Sequence, residues 1–246
     1  MVISTVLLVV LVAAGWGLAI CRKPTAIAIP TSEVVILCGT SMRAPTEELA
    51  RLARLRGQAV RLDFGGSETL LPRVLAGEKA DLLVTHDPFI AKLQAAGRLA
   101  KAVPVGVLQP VLAVPKGNPR GLTSLNDLTK EGLRVGLPDA RYSTCGEYVR
   151  ARLRTLGIED AVQARVVVEQ RSHQELATAL RLGSIDAAVL WNFIGVQNAD
   201  FITTVPLPGP WPETRVQLCV LSGAQPGVEG LLASTDLPAL FTRFGF

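Results

Sequence analysis

The stretch VVILCGTS, residues 34–41, decides the fold, because an apolar run passes directly into a short loop of small and hydroxyl residues. The four apolar residues 34–37 predict a buried strand. Leucines then recur at helical spacing and predict a helix over about residues 46–56, closed by a glycine. Residues 38–41 are therefore predicted to be a strand-to-helix turn that carries polar donors to the start of a helix.

Three later stretches repeat this design: GGSET at residues 65–69, STCGE at 143–147 and RSHQE at 171–175. Each places hydroxyl or glycine residues at the beginning of a predicted helix. A helix amino end offers unpaired backbone N–H groups and a partial positive charge, so such loops bind anions without a lysine or arginine. Together the four loops predict one site for an oxyanion.

Predicted strands and helices alternate along the rest of the chain. Repeated strand–helix units imply a parallel sheet with right-handed crossovers, in which ligands bind where strands end and helices begin. All four loops lie at such junctions. Besides residues 34–37, strands are predicted at residues 59–64, 80–84, 103–108, 111–114, 133–137, 165–168, 186–190 and 216–221, with a short terminal helix at 237–244.

Three helix starts are predicted from capping patterns. Asp87 as N-cap, with Pro88 at the first helical position, predicts a helix after the third strand. Residues 144–147 and 172–175 have the Ser/Thr-x-x-Glu spacing of a capping box, which predicts two more helix starts in the second half of the chain.

The amino-terminal segment is predicted to direct export. Residues 2–20 are almost wholly apolar and long enough to span a bilayer, so residues 1–28 are expected to be a signal peptide or a membrane anchor. Cys21 follows a sequence similar to a bacterial lipoprotein cleavage box and is the lipidation candidate. The small-x-small triplet at residues 26–28 is a competing cleavage site, and the basic residues 22–23 oppose export by the positive-inside tendency.

Charge and cysteine content exclude some classes of protein. The chain of 246 residues has a net charge of +4, and its basic residues are scattered, so no nucleic-acid partner is expected. The four cysteines lack metal-ligand spacing, so no cation site is predicted. If Cys21 is acylated, Cys38, Cys145 and Cys219 remain, which allows either one disulfide or three buried thiols.

The order of the motifs resembles the substrate-binding proteins of bacterial molybdate and tungstate ABC transporters. The resemblance covers about residues 34–193 and rests on the set of motifs, since none is specific alone. The motifs are LCGTS (37–41), FGGSETL (64–70), ADLLV (80–84), VPKGNP (114–119), CGEY (145–148) and GSIDAAV (183–189).

This resemblance implies an α/β protein with the two-lobed periplasmic-binding-protein fold of type II. Each lobe is expected to be a mainly parallel sheet flanked by helices, with the ligand in the cleft between the lobes. Residues 33–109 and 214–246 would form lobe 1, and residues 110–213 would form lobe 2. The family binds a tetrahedral oxyanion with neutral donors, which implies no cofactor and no bare metal cation.

The resemblance also implies a role in uptake. The chain is expected to be an exported, membrane-tethered, periplasmic monomer that captures molybdate or tungstate and hands it to an ABC permease with its ATPase. Binding of sulfate or phosphate, and sensing by a membrane-tethered protein of the same fold, are alternatives. A cysteine-dependent enzyme that pairs Cys145 with His173 is a further alternative, although the sequence has no nucleophile elbow, phosphate loop or zinc motif.

Several site residues are implied by matching the family's motifs position by position. Ser41 and Ser67 match hydroxyl donors of lobe 1, Cys145 and His173 fall where backbone N–H groups bind the anion, and Trp191 replaces a frequent tyrosine. Glu68 departs from a neutral site, because a carboxylate beside Ser67 would repel an anion unless it points away. The full predicted set is Thr40, Ser41, Gly66, Ser67, Thr144, Cys145, His173 and Trp191.

Overall fold

The chain is described by a computed structural model that covers residues 33–246. The predicted signal peptide or anchor at residues 1–28, and the lipidation candidate Cys21, lie outside the described residues. The strands are β1 (Val34–Gly39), β2 (Val60–Gly65), β3 (Leu82–His86), β4 (Leu99–Leu108), β5 (Pro110–Pro115), β6 (Val135–Pro138), β7 (Val166–Gln170), β8 (Ala187–Trp191), β9 (Ile202–Pro206) and β10 (Thr214–Leu221).

Most of the helices lie between these strands in the sequence, and the last two follow β10. Two short 3₁₀ helices, Thr40–Met42 and Leu125–Thr129, are also present. The α-helices are α1 (Arg43–Leu55), α2 (Ser67–Leu75), α3 (Phe89–Ala95), α4 (Thr144–Thr155), α5 (Glu159–Gln163), α6 (His173–Arg181), α7 (Asn192–Gln197), α8 (Gly227–Ala233) and α9 (Leu237–Thr242). Every predicted strand is confirmed to within a few residues. Strand β9 and helices α5, α7 and α8 were not predicted.

The strands form two sheets of the same topology. The first has the order β2-β1-β3-β10-β4 and the second the order β7-β6-β8-β5-β9. The fourth strand in each order, β10 in the first sheet and β5 in the second, is the strand that the chain enters after it crosses from the other lobe. Each sheet and its flanking helices form one lobe, as the two-lobed fold predicts.

The prediction of mainly parallel sheets is confirmed, since four of the five strands in each sheet run in one direction and a single strand, β10 or β5, runs against them. Strand β1 pairs in parallel with β2 and β3, whereas β10 runs antiparallel to β3 and β4. The second sheet repeats this, with β6 parallel to β7 and β8, and β5 antiparallel to β8 and β9. The crossing strands enter in the opposite direction because they arrive from the other lobe and not through a strand–helix–strand unit.

The crossover between the lobes is fixed by one side chain at the start of α7. The amide of Asn192 accepts a hydrogen bond from the Gln109 N–H (2.9 Å) and donates to the Gly245 carbonyl (2.9 Å). Nearby, the ring of Phe246 stacks on Phe193 at 4.8 Å. A continuous apolar core runs through both lobes, and it includes Leu108 next to the first crossing point and Leu207 at the start of the second crossing segment.

Two of the predicted helix starts are wrong in detail. Helix α3 begins at Phe89 with Pro88 as its N-cap, and Asp87 instead accepts a hydrogen bond from the Arg215 guanidinium (3.0 Å). Helix α4 is capped by Ser143, whose hydroxyl accepts from the backbone N–H of Gly146 (3.3 Å), so the cap lies one residue before the predicted Thr144, and Gly146 has no side chain to complete a capping box.

The third predicted helix start is confirmed. Ser172 is the N-cap of α6, and its hydroxyl oxygen accepts a hydrogen bond from the Glu175 N–H at 3.4 Å. A hydroxyl that faces its own helix in this way satisfies one of the unpaired donors of the first turn. The remaining N–H groups of that turn are left for other acceptors.

Candidate functional site

A cleft of about 440 Å³ lies at the point where strands of both lobes end and helices begin. This is the edge at which ligands bind in open α/β sheets. All four loops predicted from the sequence reach it. The strand ends that line the cleft are Gly39, His86 and Trp191. The helix starts that line it are Ser67, Thr144 and His173.

Seven of the eight predicted ligand-binding residues line this cleft, namely Thr40, Ser41, Gly66, Ser67, Thr144, His173 and Trp191. The side chain of Cys145 is fully buried and does not line the cleft, and the role predicted for the backbone N–H of this residue stays a prediction. Cys145 shares the apolar face of α4 with Val149 and Leu153, which follow it at helical spacing and are also buried. Its side chain therefore belongs to the core of the second lobe.

Ser67 is the hydroxyl of the first lobe with the best defined geometry. It is the first residue of α2 and is 6% exposed. Its Oγ accepts a hydrogen bond from the hydroxyl of Thr85, a fully buried residue of β3, at 3.0 Å. Since Thr85 donates to Ser67, the Ser67 hydroxyl hydrogen is free to point at an acceptor in the cleft.

The acidic residue beside Ser67 is engaged across the cleft. The Glu68 carboxylate accepts a hydrogen bond from the Arg171 guanidinium at 3.1 Å, so an ion pair joins the first lobe to the second. The guanidinium of Arg171 also lies over the ring of Tyr142, 4.4 Å from its centroid. Pairing of the Glu68 charge reduces the repulsion of an anion that the sequence led us to expect.

Two further cations line the cleft. Arg141 is held by Asp139 in an ion pair of 2.6 Å, and this guanidinium holds the pKa of Asp139 below its usual range, at about 2. Lys92 extends from α3 with its ammonium 5.5 Å from the centroid of the Phe89 ring. Arg43, the other arginine that flanks a loop, stacks on Phe64 at 3.7 Å and pairs with Glu47.

Two histidines, one from each lobe, meet at Trp191. The ring centroids of His86 and His173 lie 6.5 Å and 6.0 Å from that of Trp191. The Nδ1–H of His86 donates to the carbonyl of Asp87 at 2.7 Å, and the Nδ1 of His173 is buried with no hydrogen-bond partner among the described residues. Burial lowers the pKa of both imidazoles, that of His173 to about 3, so both are neutral at neutral pH.

We expect the free energy of unfolding to fall between about pH 6.5 and about pH 5, because unfolded histidines bind protons that the buried imidazoles do not. With a folded pKa of about 3, His173 alone should cost about 2 kcal/mol at about pH 5, since one pKa unit is worth roughly 1.4 kcal/mol. Urea unfolding at the two pH values measures this loss. The variant His173→Phe should remove about 2 kcal/mol of it.

Asp127→Asn is the matched control for this pH dependence. The hydrogen bond from Lys130 is the main cause that lowers the pKa of Asp127, so its stabilising contribution is lost only below the unfolded pKa of 3.8. Asp127→Asn should therefore lower the free energy of unfolding by the same amount at about pH 6.5 and at about pH 5. An unchanged pH dependence in His173→Phe would contradict the neutral, buried imidazole.

The sequence analysis missed one side of the cleft. This side is formed by His86, the last residue of β3, and by three residues that follow the strand, Pro88, Phe89 and Lys92. Because β3 lies beside β1, the segment after β3 reaches the same edge as the loops after β1 and β2. The end of a predicted strand was the signal that could have identified it.

The three cysteines within residues 33–246 do not line the cleft. Cys38, Cys145 and Cys219 are free and buried. Burial raises the pKa of the Cys145 thiol well above its usual value, so the thiol stays protonated at neutral pH. Within residues 33–246 there is no cluster of three or more His, Cys, Asp or Glu side chains suited to a metal ion. Within the same residues, no helix is both long and apolar enough to cross a membrane.

Two sheets of this topology, with a polar cleft at the strand ends of both, define a two-lobed solute-binding protein. The chain belongs to the bacterial extracellular solute-binding protein family, whose model matches residues 34–246. This membership confirms the family type that the motifs indicated.

Individual relatives agree with this assignment. A protein of Haemophilus influenzae described as a binding protein is 23% identical over 199 residues, which cover 80% of this chain and 81% of that one. A substrate-binding domain from Clostridium difficile, described as that of a molybdenum ABC transporter, superimposes with a TM-score of 0.68 at 16% identity and covers 87% of this chain and 97% of its own. The periplasmic molybdate-binding protein of Azotobacter vinelandii gives 0.64 at 19% identity, with 86% and 97% covered. These two structures confirm the fold.

Proposed function

We propose that this chain is the substrate-binding component of an ABC transporter and that it captures a tetrahedral oxyanion, molybdate or tungstate, in the cleft. The convergence of four helix-start loops on one cleft is the observation that supports this. Hydroxyl and N–H donors each contribute roughly 1.5–3 kcal/mol to a charged ligand. Five or six such donors sum to roughly 8–18 kcal/mol, and the upper half of this range covers both the ~8 kcal/mol of micromolar affinity and the cost of ordering the lobes.

The proposed cycle uses closure of the lobes as its signal. We assign residues 33–109 and 214–246 to lobe 1 and residues 110–213 to lobe 2, so that the chain crosses twice between them. An anion that contacts donors of both lobes stabilises the closed form over the open form. The closed form then docks on a permease with its ATPase, and the neutral donors release the anion when the lobes part.

The proposal includes export from the cytoplasm. Residues 1–28 would serve as a signal peptide or anchor, and acylation at Cys21 would tether the monomer to the membrane beside its permease. The structurally similar proteins of Clostridium difficile and Azotobacter vinelandii are described as a molybdenum transporter domain and a molybdate-binding protein, and they support the choice of anion.

Isothermal titration with molybdate, tungstate, sulfate and phosphate in turn tests the choice of ligand. We expect molybdate and tungstate to bind with micromolar or tighter affinity, and sulfate and phosphate at least ~10-fold more weakly, because a cage that fits the larger anions leaves long hydrogen bonds to the smaller ones. Tight binding of sulfate or phosphate instead would assign the alternative anions. No binding of any of the four would overturn the proposal.

A further inference from the structure

The cleft is larger than an inorganic oxyanion requires. Its volume is about 440 Å³, whereas four oxygens at roughly the 30 Å³ that each water occupies would fill about 120 Å³. The lobes already touch across the cleft through the 3.1 Å ion pair between Glu68 and Arg171. The volume of the cleft with this ion pair formed falls in the range typical of pockets for small organic ligands.

Part of the cleft wall is aromatic. The rings of Phe89 and His86 lie 5.4 Å apart, His86 contacts Trp191 at 6.5 Å, and Trp191 contacts His173 at 6.0 Å. We call these four residues the aromatic wall. All of them line the cleft. The faces of these rings favour apolar groups, whereas the negative π-face offers an inorganic dianion no attraction in exchange for its water.

The aromatic wall also presents hydrogen-bond acceptors. Because the Nδ1–H of His86 donates to the Asp87 carbonyl (2.7 Å), the neutral ring has its lone pair on Nε2. The ring of His173 is also neutral, and it carries one N–H and one lone pair, so it can donate to a head group or accept from a ligand hydroxyl. A fully deprotonated oxyanion has no donor for a ring nitrogen. A ligand with a hydroxyl or amino group does.

We propose that the cleft also binds a small organic oxyanion, whose tetrahedral head group is held by the helix-start loops and whose substituent, carrying a hydroxyl or amino group, lies along the aromatic wall. This inference rests on the proposed function, because the same loops hold the head group. The ammonium of Lys92, beside Phe89, adds attraction for the negative charge of such a ligand. Phosphate monoesters and sulfonates share this chemistry.

Matched pairs of ligands test the inference on the whole protein. Titration compares glycerol 3-phosphate with inorganic phosphate, and 2-aminoethanesulfonate with sulfate, so that each pair differs by the organic substituent. We expect the organic member of at least one pair to bind about ten-fold more tightly or better, and the pair that shows this identifies the head group. Equal or weaker binding of both organic members would overturn the inference.

Variants of the aromatic wall make the test specific. Phe89 is only half-buried, so Phe89→Ala should fold and should lower the ratio of organic to inorganic affinity several-fold. Val167→Ala is the control, since Val167 is an exposed apolar residue (59%) that does not line the cleft, and the ratio should not change. An unchanged ratio in Phe89→Ala would contradict a substituent on the aromatic wall.

The outcomes separate this inference from the proposed function. Tight molybdate or tungstate binding without preference for organic oxyanions would leave the proposed function standing and overturn the inference. Binding of organic oxyanions alone would support the inference and overturn the choice of molybdate or tungstate. No binding of any ligand would overturn both.

Discussion

Ser67→Ala should weaken oxyanion binding about ten-fold, because the substitution removes one hydrogen bond to a charged ligand, worth roughly 1.5–3 kcal/mol. Ser67 is the residue of choice because its hydroxyl is oriented: Thr85 donates to its Oγ at 3.0 Å and leaves its hydrogen for the cleft. The loss should appear in the dissociation constant from isothermal titration. The melting temperature should also fall by a few degrees, because the buried hydroxyl of Thr85 loses its acceptor.

Ser222→Ala is the matched control for Ser67→Ala. The hydroxyl of Ser222 donates to the Gly97 carbonyl at 3.1 Å in an exposed turn, and it does not line the cleft. This variant should bind the anion with the affinity of the parent protein. If Ser67→Ala also kept that affinity, the oxyanion would have to bind elsewhere.

Gly146→Ala should lower the free energy of unfolding by about 2–3 kcal/mol, because the new methyl group overpacks a site bounded by backbone. A Cβ at this position would lie 2.4 Å from the Pro138 carbonyl oxygen and 2.8 Å from the Ala140 nitrogen. Backbone atoms cannot move aside as the end of a flexible side chain does. The start of α4 would shift instead, and Thr144 would move with it, so anion affinity should fall together with stability.

Gly230→Ala provides the matched control for this substitution. Gly230 lies inside helix α8, and an added Cβ would meet no atom within 4 Å. Alanine loses less conformational entropy than glycine in a helix, so this variant should gain about 0.5–1 kcal/mol. Urea unfolding of both variants measures the contrast. Equal stability changes in the two would show that α4 does not pack against its own entry loop as the structure describes.

The local periodicity of the sequence was enough to locate most of the fold. Buried runs such as residues 34–37 became strands, and the hydroxyl and glycine loops after them became helix starts. Ser172 caps α6 as its spacing with Glu175 predicted. These features depend on interactions within a few residues, so the amino-acid sequence alone reveals them.

The placement of Cys145 depended on a finer detail. The sequence predicted Thr144 as the cap of α4, from its spacing with Glu147, whereas the structure uses Ser143. A change of one residue in helix register rotates each side chain by about 100°, which decides whether it faces a cleft or a core. Cys145 faces the core with Val149 because that face must be apolar, and not because of the loop motif that contains it.

The sequence by itself determined most of the strands and helices and the loops that carry the donors, because capping hydrogen bonds and side-chain periodicity are local. The tertiary structure alone decided that β5 and β10 run antiparallel to their neighbours, since strand direction follows from the path of the whole chain. It alone paired Glu68 with Arg171 and brought His86 and His173 to one tryptophan. Contacts between residues so far apart in the chain arise only when the two lobes pack, and burial then sets the charge states that the site presents to its ligand.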